Sequence, residues 1–200
     1  MSSIFRKLSC SLCMGALIGI SALWAPERGM AQKLPDKTSE PHQMILTKDG
    51  FVAIDVPKGW VQTEGPGLAF FLPEGVEAEN AEAWIYISSA PVGPNEEDKN
   101  LNSYIQSDIS GYKQRFKNAT VHKEDDLLLS EMKQTAQVYT FESGETHNAF
   151  EQVVYIPDAG RVLILALSAK NLEALKGTLA TFHAFAKSYR GSMQMGSPKE

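Results

Sequence analysis

Hydrophobic and polar positions alternate along most of the chain in patterns that predict strands and two helices. Apolar residues recur every three or four positions in residues 100–117 and again in residues 171–189, which is typical of amphipathic helices. Shorter apolar or alternating runs predict strands at residues 44–47, 51–56, 68–72, 84–88, 120–124, 127–129, 136–141, 150–156 and 161–168. Because short turns join most of these strands, we expect a mainly antiparallel sheet and an α+β fold.

Two of the strand predictions are more specific. Asp49 and Gly50 stand between the first two apolar runs, and Asp-Gly in that place is a strong signal for a β-hairpin. Residues 162–167 are apolar without interruption, which suits a central strand covered on both faces. We therefore expect the two helices to lie on opposite sides of the sheet.

The first 31 residues have the order of a signal peptide. Arg6 and Lys7 precede an apolar run at residues 8–24, and the small residues Gly29 and Ala31 come before Gln32. We predict cleavage after Ala31 and an exported product, periplasmic or secreted, with no membrane span. A retained membrane anchor is the alternative, but the run is broken by serines and glycines and is shorter than the roughly 20 residues that span a bilayer.

Composition changes along the remaining chain and sets the domain boundaries. Residues 32–42 are rich in Lys, Pro, Ser and Glu without periodicity, so they are predicted to be a flexible leader. Residues 43–190 form the single predicted domain, and residues 191–200 are predicted to be a disordered tail.

Charge and cysteine content exclude several classes of function. The chain is 43% hydrophobic and 22% charged, which is ordinary for a globular protein, and its net charge is −5. An acidic chain without a basic cluster is a poor match for nucleic acid. Cys10 and Cys13 both lie in the predicted signal peptide, so the domain has neither a disulfide nor a catalytic thiol.

No catalytic, cofactor or metal motif is found in the sequence. The four histidines are not paired at the short spacing of a local metal site, no serine lies in a nucleophile motif, and no glycine-rich loop has the spacing for phosphate. The histidines are His42, His122, His147 and His183. We therefore predict no catalytic residue and no cofactor.

A glutamate-rich segment is the predicted partner surface. Glu74, Glu77, Glu79 and Glu82 lie close together without a basic residue among them. Such a segment can attract a basic partner, although a solvated loop that serves solubility is the simpler interpretation.

Four aromatic residues could line a pocket between the first helix and the sheet: Trp84, Tyr86, Tyr104 and Tyr112. Aromatic side chains of this size fit core packing equally well.

One string resembles a known superfamily. Gly50 begins the run Gly-Phe-Val-Ala-Ile-Asp-Val-Pro-Lys-Gly-Trp, which ends at Trp60 and resembles the opening of PsbP-like and DcrB-like domains. The resemblance implies an antiparallel sheet flanked by helices, an α-β-α sandwich closed by a late helix. Members of this superfamily include a Ran-binding nuclear import factor and many exported proteins of unknown activity. Photosynthetic members are linked with calcium and manganese, but no matching ligand pattern occurs in this sequence.

These observations favour an exported, non-catalytic accessory or binding protein of the cell envelope that contacts a protein partner. The alternative is a small ligand carrier or enzyme whose pocket lies between the first helix and the sheet. Pocket geometry distinguishes the two, because converging polar groups would favour a ligand.

Overall fold

The computed structural model describes residues 43–47, 50–63, 69–144 and 150–194. The predicted signal peptide and leader, residues 1–31 and 32–42, lie outside these ranges. The helices are α1 (Leu101–Arg115) and α2 (Leu172–Lys187). The strands are β1 (Met44–Thr47), β2 (Gly50–Ala53), β3 (Trp60–Thr63), β4 (Ala69–Pro73), β5 (Ala83–Pro91), β6 (Thr120–Lys123), β7 (Leu127–Leu129), β8 (Gln134–Glu142), β9 (Phe150–Asp158), β10 (Arg161–Ala169) and β11 (Gly191–Gln194).

Eight of the strands form one antiparallel sheet. Its order is β3-β4-β5-β10-β9-β8-β6, and β7 pairs with β8 beside this path. β10 lies between β5 and β9 and is buried along nearly its whole length. Its aliphatic side chains point to both faces of the sheet, and a helix covers each face. The prediction of a central strand at residues 161–168 is confirmed.

The two helices cover opposite faces of this sheet. α2 presents Leu175, Phe182 and Phe185 to one core, whereas α1 presents Ile105 and Tyr112 to the other. The predicted α+β class, with a mainly antiparallel sheet between helices, is confirmed. Neither helix in the described part of the chain is long and apolar enough to cross a membrane.

A second, three-stranded sheet has the order β1-β2-β11. β1 and β2 pair in the register Thr47 with Gly50, which confirms the predicted hairpin. Residues 191–194 differ from the sequence prediction, because they form β11 along β2 and are not tail residues. Backbone bonding creates this strand without an apolar pattern, and Ser192 adds a hydrogen bond to Asp158. Residues 195–200 lie outside the described part.

The Pro-x-Gly-Trp string makes a tight turn into a strand. Gly59 has a φ of 77°, which favours glycine, and the Trp60 amide donates to the Pro57 carbonyl over 3.0 Å. Trp60 is half-buried against the α2-side core, as expected for an aromatic with a structural role. It begins β3, an edge strand that the sequence pattern did not predict because its two middle residues are exposed.

An ion pair joins β2's continuation to the end of α2. Arg190 donates to both carboxylate oxygens of Asp55, at 3.0 and 2.7 Å. The Asp55 amide also donates to Oγ of Ser188 over 3.0 Å. Bidentate geometry of this kind fixes direction as well as distance, so it aligns the small sheet with α2.

Candidate functional site

The packed interface between α1 and the main sheet contains most of the buried polar groups that could interact with a ligand. α1 begins with a reciprocal cap, in which the Ser103 amide donates to Oδ1 of Asn100 and the Asn100 amide donates to Oγ of Ser103. Lys113 and Arg115 in its last turn suit the negative end of the helix dipole. Local sequence therefore fixes both ends of the helix that covers the site.

On the α1 face, the side chains of β5, β10, β9 and β8 line up in cross-strand rows. Paired residues of antiparallel strands lie side by side, and every second residue of a strand shares a face. The first row contains Trp84, Ser168, Glu151 and Phe141; the second contains Tyr86, Ala166, Val153 and Tyr139; the third contains Ser88, Ile164, Tyr155 and Gln137. Polar and aromatic residues thus meet beneath one helix.

The structure brings the four predicted aromatics into one cluster. Tyr86 and Tyr112 are buried, and Trp84 and Tyr104 pack half-buried against them. Their neighbours are also aromatic, since the rings of Tyr104 and Tyr155 lie 6.2 Å apart and those of Tyr112 and Phe141 lie 5.0 Å apart. The edge-to-face geometry of both pairs is favourable for aromatic packing.

Two carboxylates in this cluster were not predicted as site residues. Oδ2 of Asp108, on α1, accepts a hydrogen bond from the Tyr155 hydroxyl at 2.5 Å. Oε1 of Glu151, on β9, accepts one from the Ser168 hydroxyl at 2.7 Å. A signal existed in the sequence, because each is an acidic residue at a position where the surrounding apolar pattern predicts burial.

Burial controls the electrostatics of both carboxylates. Loss of water raises the pKa of Glu151, the charge of Asp108 raises it further, and the Ser168 hydrogen bond and Arg115 act against the shift. Loss of water also raises the pKa of Asp108, opposed by Tyr155 and Arg115. Asp108 is exposed as a residue, but its carboxyl group is directed at the sheet and bonded to Tyr155, where water reaches it less than the rest of the residue.

The predicted acidic surface is an ordered loop between β4 and β5. Glu82 contacts the two residues that precede α2, since its carboxylate lies 3.8 Å from Nζ of Lys170 and accepts a 3.0 Å hydrogen bond from Asn171. Glu74, Glu77 and Glu79 are exposed. All four glutamates are exposed, and Glu82 differs from the other three because its carboxylate is also bonded to the chain before α2.

A second acidic run, at Glu96 and Glu97, does not extend this surface. It follows β5, whereas the loop at 74–82 precedes β5, and the nine residues of that strand span about 30 Å. Sequence proximity alone would have joined the two runs.

The described histidines do not form a metal centre. His122 is exposed on β6, and Nε2 of His183 lies 2.6 Å from Oε1 of Gln152 on the α2 face. Among the described residues, no three His, Cys, Asp or Glu side chains are grouped so that they could hold a metal ion. His42 and His147 lie outside those residues.

Comparison with known proteins finds similarity in solved structures alone. No family model and no curated protein matches the sequence. A protein of unknown function from Pseudomonas aeruginosa is 15% identical, with 80% of this chain and 98% of that one covered and a TM-score of 0.48. PsbP (CyanoP) from Synechocystis is 12% identical, with 78% and 96% covered and a TM-score of 0.47. The Ran-binding protein Mog1p from Saccharomyces cerevisiae is 9% identical, with 68% and 81% covered and a TM-score of 0.43.

These similarities concern the fold and say nothing about activity. They include a PsbP protein and a Ran-binding protein, the kinds of protein that the string ending at Trp60 resembles.

Proposed function

We propose that the protein is an exported, non-catalytic accessory protein of the cell envelope that binds a basic protein partner through the loop at residues 74–82. The observation that carries this proposal is that the loop is acidic, exposed and fixed in place. Glu74, Glu77 and Glu79 reach solvent, and the loop contains no basic residue.

The backbone of the loop is held at both ends. The Glu74 amide donates to the Gly59 carbonyl over 2.8 Å, and the Lys170 amide donates to the Glu82 carbonyl over 2.9 Å. Nζ of Lys170 also donates to the Glu79 carbonyl over 2.9 Å. Ala81, within the loop, is fully buried. A segment needed only for solubility would not require this degree of order.

A fixed acidic surface has a physical advantage in recognition. Binding does not have to order the loop, so less of the interaction energy is lost to conformational entropy. Carboxylates on the surface of a protein with a net charge of −5 also steer a basic partner toward the complex and repel acidic ones. We expect charge complementarity to govern the rate and selectivity of association.

The experiment compares two charge-matched variants in capture from native envelope extract. The test variant combines Glu74→Gln, Glu77→Gln and Glu79→Gln. The control removes the same charge elsewhere, through Glu96→Gln, Glu97→Gln and Asp125→Asn, which are all exposed. We expect a partner that is retained by the control, lost by the test variant and released by added salt.

Two results would contradict the proposal. Equal loss from both variants would show that net charge, and not the loop, governs binding. Equal retention by both would remove the loop from the interface. The mass of the protein recovered from the same extract tests export, because cleavage after Ala31 predicts Gln32 as its first residue.

A further inference from the structure

All three methionines of the described residues are exposed. The exposed fractions are 45% for Met44, 37% for Met132 and 61% for Met193, and none of the three belongs to either core. Methionine is one of the residue types most often buried in folded proteins, so exposure of the whole set is unusual. The described residues contain no cysteine, so these three thioethers hold their only sulfur atoms.

Two of these methionines lie on one face of the small sheet. Ile45 and Val52 pair with each other and are both buried, so their side chains point to the inner face. Side chains alternate along a strand, so Met44 and Phe51 point to the opposite, outer face. Met193 pairs with Phe51 and therefore shares that face. The outer face thus carries two exposed thioethers beside a half-buried aromatic ring.

The third methionine, Met132, lies beside the same sheet. It belongs to the turn between β7 and β8, and its methyl carbon is 3.9 Å from the point where a Cβ on Gly191 would stand. Gly191 begins β11, the strand that also carries Met193. The three thioethers are therefore gathered at the small sheet, which shares no residue with the loop at residues 74–82.

We propose that Met44, Met132 and Met193 form a methionine surface that hydroperoxides oxidise to methionine sulfoxide. A thioether sulfur attacks one peroxide oxygen, so that an S–O bond forms and the O–O bond breaks. The sulfur loses two electrons, and the hydroxide that leaves takes the proton of the transferred oxygen and becomes water. Exposure gives the oxidant access to the sulfur, and the described residues offer no thiol that would compete for it.

Oxidation changes the chemistry of this surface and leaves both cores intact. A sulfoxide is polar, so the outer face of the small sheet changes from apolar to polar. Strand pairing persists, because β11 is held by backbone bonds to β2 and by Ser192, whose hydroxyl donates to Asp158. The domain can therefore carry the modification while folded, and a methionine sulfoxide reductase would restore the apolar face.

The test treats the purified protein with hydrogen peroxide and follows each site by peptide mass spectrometry. Trypsin places the three methionines in separate peptides, and fragment ions distinguish Met193 from Met195. We expect one added oxygen atom at each site, first at Met193, then at Met44 and last at Met132, in the order of their exposure. The chain unfolded in guanidinium is the reference. Native rates should be within about threefold of the unfolded rates, since even the least exposed site keeps 37% of its surface.

A leucine variant separates the methionine surface from other effects of peroxide. It combines Met44→Leu, Met132→Leu and Met193→Leu, which keep the volume and the apolar character and remove the thioethers. Both this variant and its parent carry Met195→Leu, so that Met195 does not contribute. Peroxide should shorten retention of the parent on a phenyl column and leave the leucine variant unchanged. The unfolding midpoint of the oxidised parent should shift by no more than about 2 °C, as for other surface changes.

Three results would overturn the proposal. The first is a native rate more than about threefold below the unfolded rate at any of the three sites, because the thioether would then be shielded. The second is an equal change in column retention for the parent and the leucine variant. The third is unfolding of the parent on oxidation. None of these results bears on the loop at residues 74–82, whose glutamates hydrogen peroxide does not modify.

Discussion

The two faces of the main sheet are built from different kinds of side chain. Beneath α2 the core is mainly aliphatic and phenylalanine, with Phe71, Phe182 and Phe185 all buried, and its polar side chains form one small group of Thr140, Gln152 and His183. Beneath α1 it contains tyrosines together with Asp108 and Glu151. Apolar burial contributes roughly 25 cal/mol per Å², whereas every buried carboxylate needs a partner. We therefore expect the α2 face to contribute more to the free energy of unfolding than the α1 face, where buried polar groups offset part of the stabilisation.

The largest expected loss of stability comes from a substitution on the α2 face. Phe182→Ala removes a ring with no exposed surface, so we expect the free energy of unfolding to fall by about 3–5 kcal/mol. Ile109→Ala on α1 removes a half-buried side chain and should cost less than about 2 kcal/mol. Guanidinium denaturation followed by circular dichroism measures both. Equal losses would mean that the two faces contribute alike.

A smaller effect, a dependence of stability on pH, is expected on the α1 face. Burial raises the pKa of Glu151 above its ordinary value of 4.5, so the folded protein holds this proton more tightly than the unfolded chain does. The stability due to this group is complete below that pH and is lost as the pH rises through the folded-state pKa. Glu151→Gln should therefore remove part of the loss of stability that occurs as the pH rises above 4.5.

Denaturation at several pH values measures this effect as the difference between the two proteins. Glu97→Gln, an exposed substitution, is the control, and its stability should depend on pH as that of the wild type does. A wild-type curve that runs parallel to that of Glu151→Gln would contradict the assignment.

The smallest effect, on the α2 face, has the opposite sign. Burial and then Lys187 lower the pKa of His183 from its ordinary value of 6.5, and Glu124 acts against this shift. The stability due to His183 is present above that pH and is lost as the pH falls through the folded-state pKa. His183→Gln should reduce this acid-side loss, measured by thermal unfolding between about pH 7 and about pH 5. The effect is smaller than that of Glu151, because His183 is half-buried. If stability rose toward acid pH in the wild type alone, the sign would be wrong.

Hydrophobic periodicity predicted both helices, the first hairpin and the central strand, because these elements bury one or both faces. It could not predict β3 or β11, whose residues Trp60–Thr63 and Gly191–Gln194 lack apolar alternation and are held by backbone pairing. The same limit applies to the α1-side cluster. Only the register of β5, β10 and β9 places Ser168 beside Glu151. The pairing register of two strands cannot be predicted from the hydrophobic pattern of either strand alone.

The small sheet has a consequence for the order in which the chain folds. Its middle strand, β2, pairs on one side with its sequence neighbour β1 and on the other with β11. The Arg190–Asp55 ion pair beside this contact joins residues 135 positions apart. Closing so long a loop is slow and entropically costly until other contacts bring its ends together. One edge of β2 therefore stays open until the residues that follow α2 reach it, so this sheet can be completed only when the two ends of the domain meet.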